Sequence, residues 1–177
     1  MAVEEFEPVT VSRRIGAPAG EIFQVLADPR RHLGLDGSGM LRGAVTDGIV
    51  TGVGDVFVMK MYYSEQGDYE MDDHVVDYEL NRRIGWEPVA GRGHPDEFSG
   101  EARWGHRWSF DLVGDGPDAT IGTEIYDCSG VPVDGRDSMD DGRIWIEAMV
   151  ATLERLDELC TGRKHDRDGS RVHELRA

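Results

Sequence analysis

The chain ends on an amphipathic helical stripe with no second long helix to cover it, and this limits the possible architectures more than any other feature. Trp145, Met149, Thr152, Leu156 and Leu159 share one face, Ile144, Ala148, Ala151 and Leu153 widen it, and Glu147, Glu154, Asp157 and Glu158 stay on the polar side. An apolar face this broad, over about five turns, exceeds a coiled-coil seam and calls for a sheet beneath it. Ser138 with Asp141 three residues later has the spacing of a capping box, which predicts the helix start there. Asp134, Asp137, Asp140 and Asp141 suit its positive end and lack the ligand spacing of a calcium loop.

Upstream, the hydrophobic period is mostly two. Val9, Val11 and Ile15 alternate with Thr10, Ser12 and Arg14 in a first strand that Ala17-Pro18 ends. Ile22, Phe23, Val25 and Leu26 recur at helical spacing as far as Asp28-Pro29, because the residue before a proline avoids the helical region. A second short helix is expected over Arg30 to Leu33. Strands then follow over Met40 to Val45 and along the Phe57-Met59-Met61-Tyr63 face, with a turn at Gly67-Asp68. The next is expected over Tyr69 to Leu80, with a tight turn at Asn81-Arg82, followed by the Ile84-Trp86-Pro88 face and a longer loop from Ala90 to Gly100. Trp104, His106, Trp108, Phe110 and Leu112 alternate cleanly, and Thr120 to Cys128 is the last strand.

Between Tyr69 and Leu80 the apolar parity changes from odd (Tyr69, Met71, Val75) to even (Val76, Tyr78, Leu80), which predicts a one-residue bulge near Asp73 to Val76. The element order predicts an α+β domain: a curved antiparallel sheet of about seven strands around the C-terminal helix, with two short helices after the first strand. One domain is expected over residues 1–163, with 164–177 a charged, mobile tail.

A formal charge of −16 works against nucleic acid and anionic lipid surfaces as partners. No apolar run is long enough to span a bilayer, and the acidic start from Met1 to Glu5 has no signal-peptide core, so a cytoplasmic location is expected. Cys128 and Cys160 match no metal knuckle or redox motif and are expected to be reduced and buried. Nucleophile elbow, phosphate loop, dinucleotide fingerprint and His-Glu-x-x-His are all missing, so neither a metal nor a nucleotide cofactor is expected.

Five segments in this order resemble the START-like helix-grip superfamily (SRPBCC), most nearly its polyketide cyclase/dehydrase and lipid-transport branch. They are Ile15 to Pro29 (IGAPAGEIFQVLADP), Gly52 to Phe57 (GVGDVF), Val75 to Trp86 (VVDYELNRRIGW), Thr120 to Asp127 (TIGTEIYD) and Leu153 to Leu159 (LERLDEL), within residues 8–161. Leu80 stands where that superfamily often has proline, and Gly122 where it often has a larger residue. The resemblance implies an internal cavity more firmly than any one reaction.

A cavity also follows from shape, because a strongly curved sheet cannot touch a straight helix along its whole length. Met59, Met61, Tyr63, Trp86, Trp104, His106, Trp108 and Phe110 from the sheet, with Trp145 and Met149 from the helix, are the candidate ligand-binding residues. His106 shares parity with its aromatic neighbours, and an inward Asp73 beside it would form a carboxylate–imidazole pair for proton transfer. The bulge leaves open whether Asp73 or His74 faces inward. Arg13 is expected in an ion pair with an internal acid such as Asp127, and His32 on the surface, near what the resemblance implies is the cavity lip.

The first functional expectation is binding of a small apolar or aromatic molecule. The second is a cofactor-free cyclase, aromatase or dehydratase using His106 with Asp73, and the third is a chaperone-activator-like interaction module. Homodimerisation stays open.

Overall fold

A computed structural model describes residues 6–97 and 103–163. The expected tail, the first five residues of the expected domain and the end of the Ala90 to Gly100 loop lie outside the described residues. Seven strands form one antiparallel sheet: β1 (Val9–Ile15), β2 (Leu41–Ala44), β3 (Val56–Tyr63), β4 (Gly67–Glu79), β5 (Arg83–Ala90), β6 (Arg107–Gly114) and β7 (Thr120–Asp127), in the spatial order β1-β7-β6-β5-β4-β3-β2. After β1 come α1 (Ala19–Leu26), a 3₁₀ turn (Pro29–Arg31) and α2 (His32–Leu35); after β7 come α3 (Val133–Ser138), a second 3₁₀ segment (Asp140–Trp145) and the long α4 (Ile146–Thr161).

The register shift between β4 and β5 falls between Val75 and Asp77, where the parity change predicts it. This extra residue bends the longest strand and adds twist. It leaves Tyr69, Met71, Asp73 and Val75 buried, and His74 half-buried on the other face. Beneath α1 the space between sheet and α4 is filled by Ile15, Ile22, Phe23, Leu26, Ile84, Leu112, Leu153 and Leu156.

The C-terminal end of α4 is clamped to the end of β1. Asp157, expected on the polar side, is buried; it accepts from Arg13 Nε at 3.2 Å and from the Gly16 backbone N–H at 3.0 Å. Arg13 therefore pairs with the helix and not with Asp127, whose carboxylate accepts from the Ser129 N–H. Gly162, in the left-handed region, ends the helix.

The helix start differs from the expectation. Ser138 Oγ donates to the Gly135 carbonyl, so no capping box forms, and the acids expected at the helix start fall in α3 and the segment after it. Asp140, Asp141 and Gly142 all have positive φ (49°, 50° and 90°), which breaks the ladder, and α4 begins only at Ile146. Gly142 is needed there for a second reason: a Cβ on it would lie 2.6 Å from Cδ1 of Tyr126. Ile144 and Trp145 thus lie off the helix, in the 3₁₀ segment ahead of it, Ile144 is exposed, and Leu159 sits at the margin of the buried face, 39% exposed. Smaller shifts are a hairpin turn at 64–66, ahead of Gly67, a second helix over His32–Leu35, and a start of β6 at Arg107 and not at Trp104. Cys128 is buried as expected, whereas Cys160 is only half-buried; both are free.

Candidate ligand cavity

Toward the N-terminal half of α4 the interior opens into a cavity of about 320 Å³, bounded by β3 to β7, α2 and α4. Strand register assembles its walls. Trp86 on β5 lies opposite Trp108 on β6, and Trp108 opposite Tyr126 on β7, which sets three large rings in one row across the concave face. The Trp108 and Tyr126 ring centroids are 4.4 Å apart, and Trp145 meets Trp108 edge-on at 5.9 Å. Met59 faces Met71, and Met61 faces Tyr69, on the neighbouring strands.

Of the residues expected here, Met59, Met61, Trp86, Trp104, His106, Trp108, Phe110, Trp145 and Met149 line the cavity, and so does Asp73. Tyr63 does not: it pairs with Gly67 at the tip of the β3–β4 hairpin, beyond the concave part of the sheet, and is 44% exposed.

Trp104 and His106 reach the cavity from a loop and not from a strand. Between them Gly105, at φ 84°, crosses the turn after β7 so closely that a Cβ would lie 2.2 Å from the Gly130 carbonyl carbon. Only glycine allows that crossing. His106 Nδ1 and the Tyr126 hydroxyl share a 2.5 Å hydrogen bond. Burial lowers the His106 pKa and raises that of Tyr126, so the pair is imidazole and phenol, both neutral, near neutral pH.

The expected Asp73–His106 pair is not formed. Asp73 sits on β4 opposite Phe57 and Pro88, with β5 between it and the β6 side where His106 lies. Burial, with Asp72 adding to it, pushes the Asp73 carboxyl well above the usual carboxylate range. His32, expected on the surface, is buried: the Asp28-Pro29 turn aims α2 inward, its Nε2 bonds the Leu26 carbonyl at 2.8 Å, and its ring stacks on Trp86 at 5.4 Å. Burial lowers its pKa.

Glu124 is the functional candidate that sequence reasoning missed. Ile121 and Ile125 suggest that the odd positions of β7 face inward, yet the even positions Thr120, Gly122, Glu124 and Tyr126 do. The signal pointing the right way was the Tyr126-Cys128 parity. Glu124 is flanked in register by Val11 on β1 and Phe110 on β6. Burial, with Asp36 adding repulsion, pushes its carboxyl up to about 8. Its Oε2 is buried with no hydrogen-bond partner, and the buried indole nitrogen of Trp145 makes only a weak, poorly formed contact to the Tyr126 hydroxyl.

Among the described residues no Lys or Arg lines the cavity, and no cluster of three His, Cys, Asp or Glu side chains is placed to hold a metal. No described helix is long and apolar enough to cross a membrane.

No protein-family profile matches the chain. The Mycobacterium tuberculosis protein Rv0088 is 33% identical over 129 residues, which is 72% of this chain and 51% of that protein. The chain thus spans about half the length of the curated relatives it matches. Several solved structures superpose over most of both chains. Protein NE0264 of Nitrosomonas europaea does so with a TM-score of 0.63 at 12% identity, covering 90% of this chain and 97% of that one. Ms6760 of Mycobacterium smegmatis does so at 0.62 and 13%, covering 89% and 92%. A point mutant of Thalictrum flavum norcoclaurine synthase, in complex with a transition-state analogue, does so at 0.58 and 17%, covering 88% and 94%. At these identities the likeness is one of fold.

Proposed function

This chain has the helix-grip fold of the START-like (SRPBCC) superfamily, and from that premise we propose that it binds a small apolar or aromatic molecule between its sheet and α4. The observation that carries this reading is the cavity of about 320 Å³ walled by Trp86, Trp108, Trp145, Met59 and Met61, with a few polar groups set among them. Mostly apolar walls with sparse polar groups are what small-molecule sites have in common. Methionine adapts to irregular guests, and tryptophan offers a broad face.

Titration with an apolar fluorescent probe, alongside mass spectrometry of gently purified protein, tests the reading. One molecule bound per chain is expected, and the Ala148→Phe variant, which fills the cavity, should lose it. A folded wild-type sample that takes up no probe and carries no small molecule overturns it.

The His106–Tyr126 hydrogen bond favours a second reading, cofactor-free proton transfer on the bound molecule, as in a cyclase, aromatase or dehydratase. With Nδ1 held by the phenol, the ring is oriented and Nε2 is the nitrogen left to exchange a proton with a bound molecule. In this reading Tyr126 takes the orienting role first given to Asp73. Wild-type protein should speed α-deuterium exchange of 2-acetylnaphthalene, and His106→Ala should slow that exchange more than about tenfold with little loss of ketone binding. An unchanged exchange rate removes this mechanism.

A further inference from the structure

We propose that Glu124, together with the indole N–H of Trp145, is the specificity-determining anchor of the cavity, and that it selects ligands presenting a neutral carbonyl or hydroxyl oxygen over carboxylates and amines. The inference rests on the cavity being a binding site. Glu124 Oε2 is buried without a partner, the indole N–H of Trp145 is buried with only a weak, poorly formed contact to the Tyr126 hydroxyl, and both residues line the same hollow. They also belong to the same end of it: Glu124 is two residues from Tyr126 on β7, and the Trp145 ring lies 6.3 Å from that of Tyr126. Buried polar atoms in folded proteins are nearly always well paired, so two that are not, facing one cavity, indicate that a guest supplies their partner.

The surroundings narrow the guest. An anionic group would find no Lys or Arg among the described lining residues, and would instead meet Asp36, Asp73 and Glu124. Fatty acids and other carboxylates are therefore disfavoured. An ammonium could pair with a Glu124 carboxylate, but the indole N–H at the same end of the cavity would gain nothing from a second donor. A carbonyl oxygen has two lone pairs, which match the indole N–H and the O–H of a protonated carboxyl. A hydroxyl oxygen serves equally, accepting from the indole and bonding the carboxyl. The protonated form is the one this environment favours, since Val11 and Phe110 flank Glu124 and burial holds its proton up to about 8.

Four probes sharing one ring system separate the possibilities: naphthalene, 2-acetylnaphthalene, 2-naphthoate and 2-(aminomethyl)naphthalene, titrated calorimetrically into wild-type protein and variants at neutral pH. The ketone should bind wild type about tenfold more tightly than naphthalene, with naphthoate and the amine weaker than the ketone. Glu124→Gln, whose amide still donates, should keep the ketone preference. Glu124→Leu should erase it while still binding naphthalene, and Trp145→Phe should reduce it by a few fold. Equal affinity for ketone and naphthalene in wild type, or a preference that survives in Glu124→Leu, overturns the proposal. So does tightest binding of the amine, lost in Glu124→Gln, which would make this an organic-cation site. If no probe binds at all, the cavity reading itself fails. Naphthalene binding without ketone preference fails only the anchor.

Discussion

Where α1 crosses the sheet, Ile22, Phe23 and Leu26 meet Ile84, Leu112, Leu153 and Leu156, and these side chains fill the space. About a turn earlier, Met149 on α4 and Trp145 just ahead of it face Trp108, Tyr126 and Glu124 across a hollow. One sheet and one helix thus build a solid end and an empty one. Branched aliphatics interdigitate to near-crystalline density. Large flat rings, held by register in a row and by edge contacts to each other, brace the walls apart.

Polar groups divide the same way. At the solid end Asp157 is paired with Arg13 and Gly16, and Thr120 Oγ1 donates to the Ala17 carbonyl at 2.9 Å. At the hollow end Glu124 Oε2 has no partner and Trp145 Nε1 no well-formed hydrogen bond. The solid end carries stability, and the hollow end holds what a guest would satisfy.

Variants can break this division, and the largest effect is expected from the solid end. Leu153→Ala should cost about 2–5 kcal/mol in urea unfolding, as for a fully buried leucine, while leaving probe affinity nearly unchanged if the two ends are independent.

Glu124→Gln should act in the opposite direction. The folded carboxyl keeps its proton up to about 8, while the unfolded chain releases it near the ordinary 4.5. The unfolded state therefore binds fewer protons across that window. Wild-type stability should be fullest in this respect below about pH 4.5, fall by about 1.4 kcal/mol per pH unit as pH rises, and level off above about 8. The variant lacks this slope, so at pH 7 it should be the more stable by on the order of 3 kcal/mol, an advantage that vanishes near pH 4.5. Urea midpoints across pH 4 to 9, at about half-unit steps, measure it.

Met61→Ala, a half-buried wall residue, should lower stability by only about 1 kcal/mol but weaken probe binding severalfold. Tyr63→Ala, on the same strand but beyond the cavity, should change stability by less than about 0.5 kcal/mol and binding not at all. Loss of binding in Tyr63→Ala would show that the site extends past the hairpin tip.

Most of the fold was legible because each element announces itself over a few residues. The alternation in β3 and β4 marked strands, the parity change marked the bulge between Val75 and Asp77, and the terminal stripe marked α4. The site was legible where apolar parity was clean, as in Met59, Met61, Trp86 and Trp108. It was not read in β7, where Ile121 and Ile125 lie on the face away from the cavity and Glu124 lines it. The helix start misled, since a capping-box spacing carries no information about the Tyr126 ring that Gly142 packs against.

The sequence by itself determined the antiparallel sheet, the final helix and the aromatic, methionine-rich inner face, because periods of two and of 3.6 are properties of neighbouring residues. Only the tertiary structure decided that Glu124 is buried with an unpartnered carboxyl oxygen, that His106 meets Tyr126 and not Asp73, and that one end of the interior stays open. Those outcomes depend on the register of strands far apart in the chain and on a glycine crossing between two loops, and local patterning cannot encode distances of that kind.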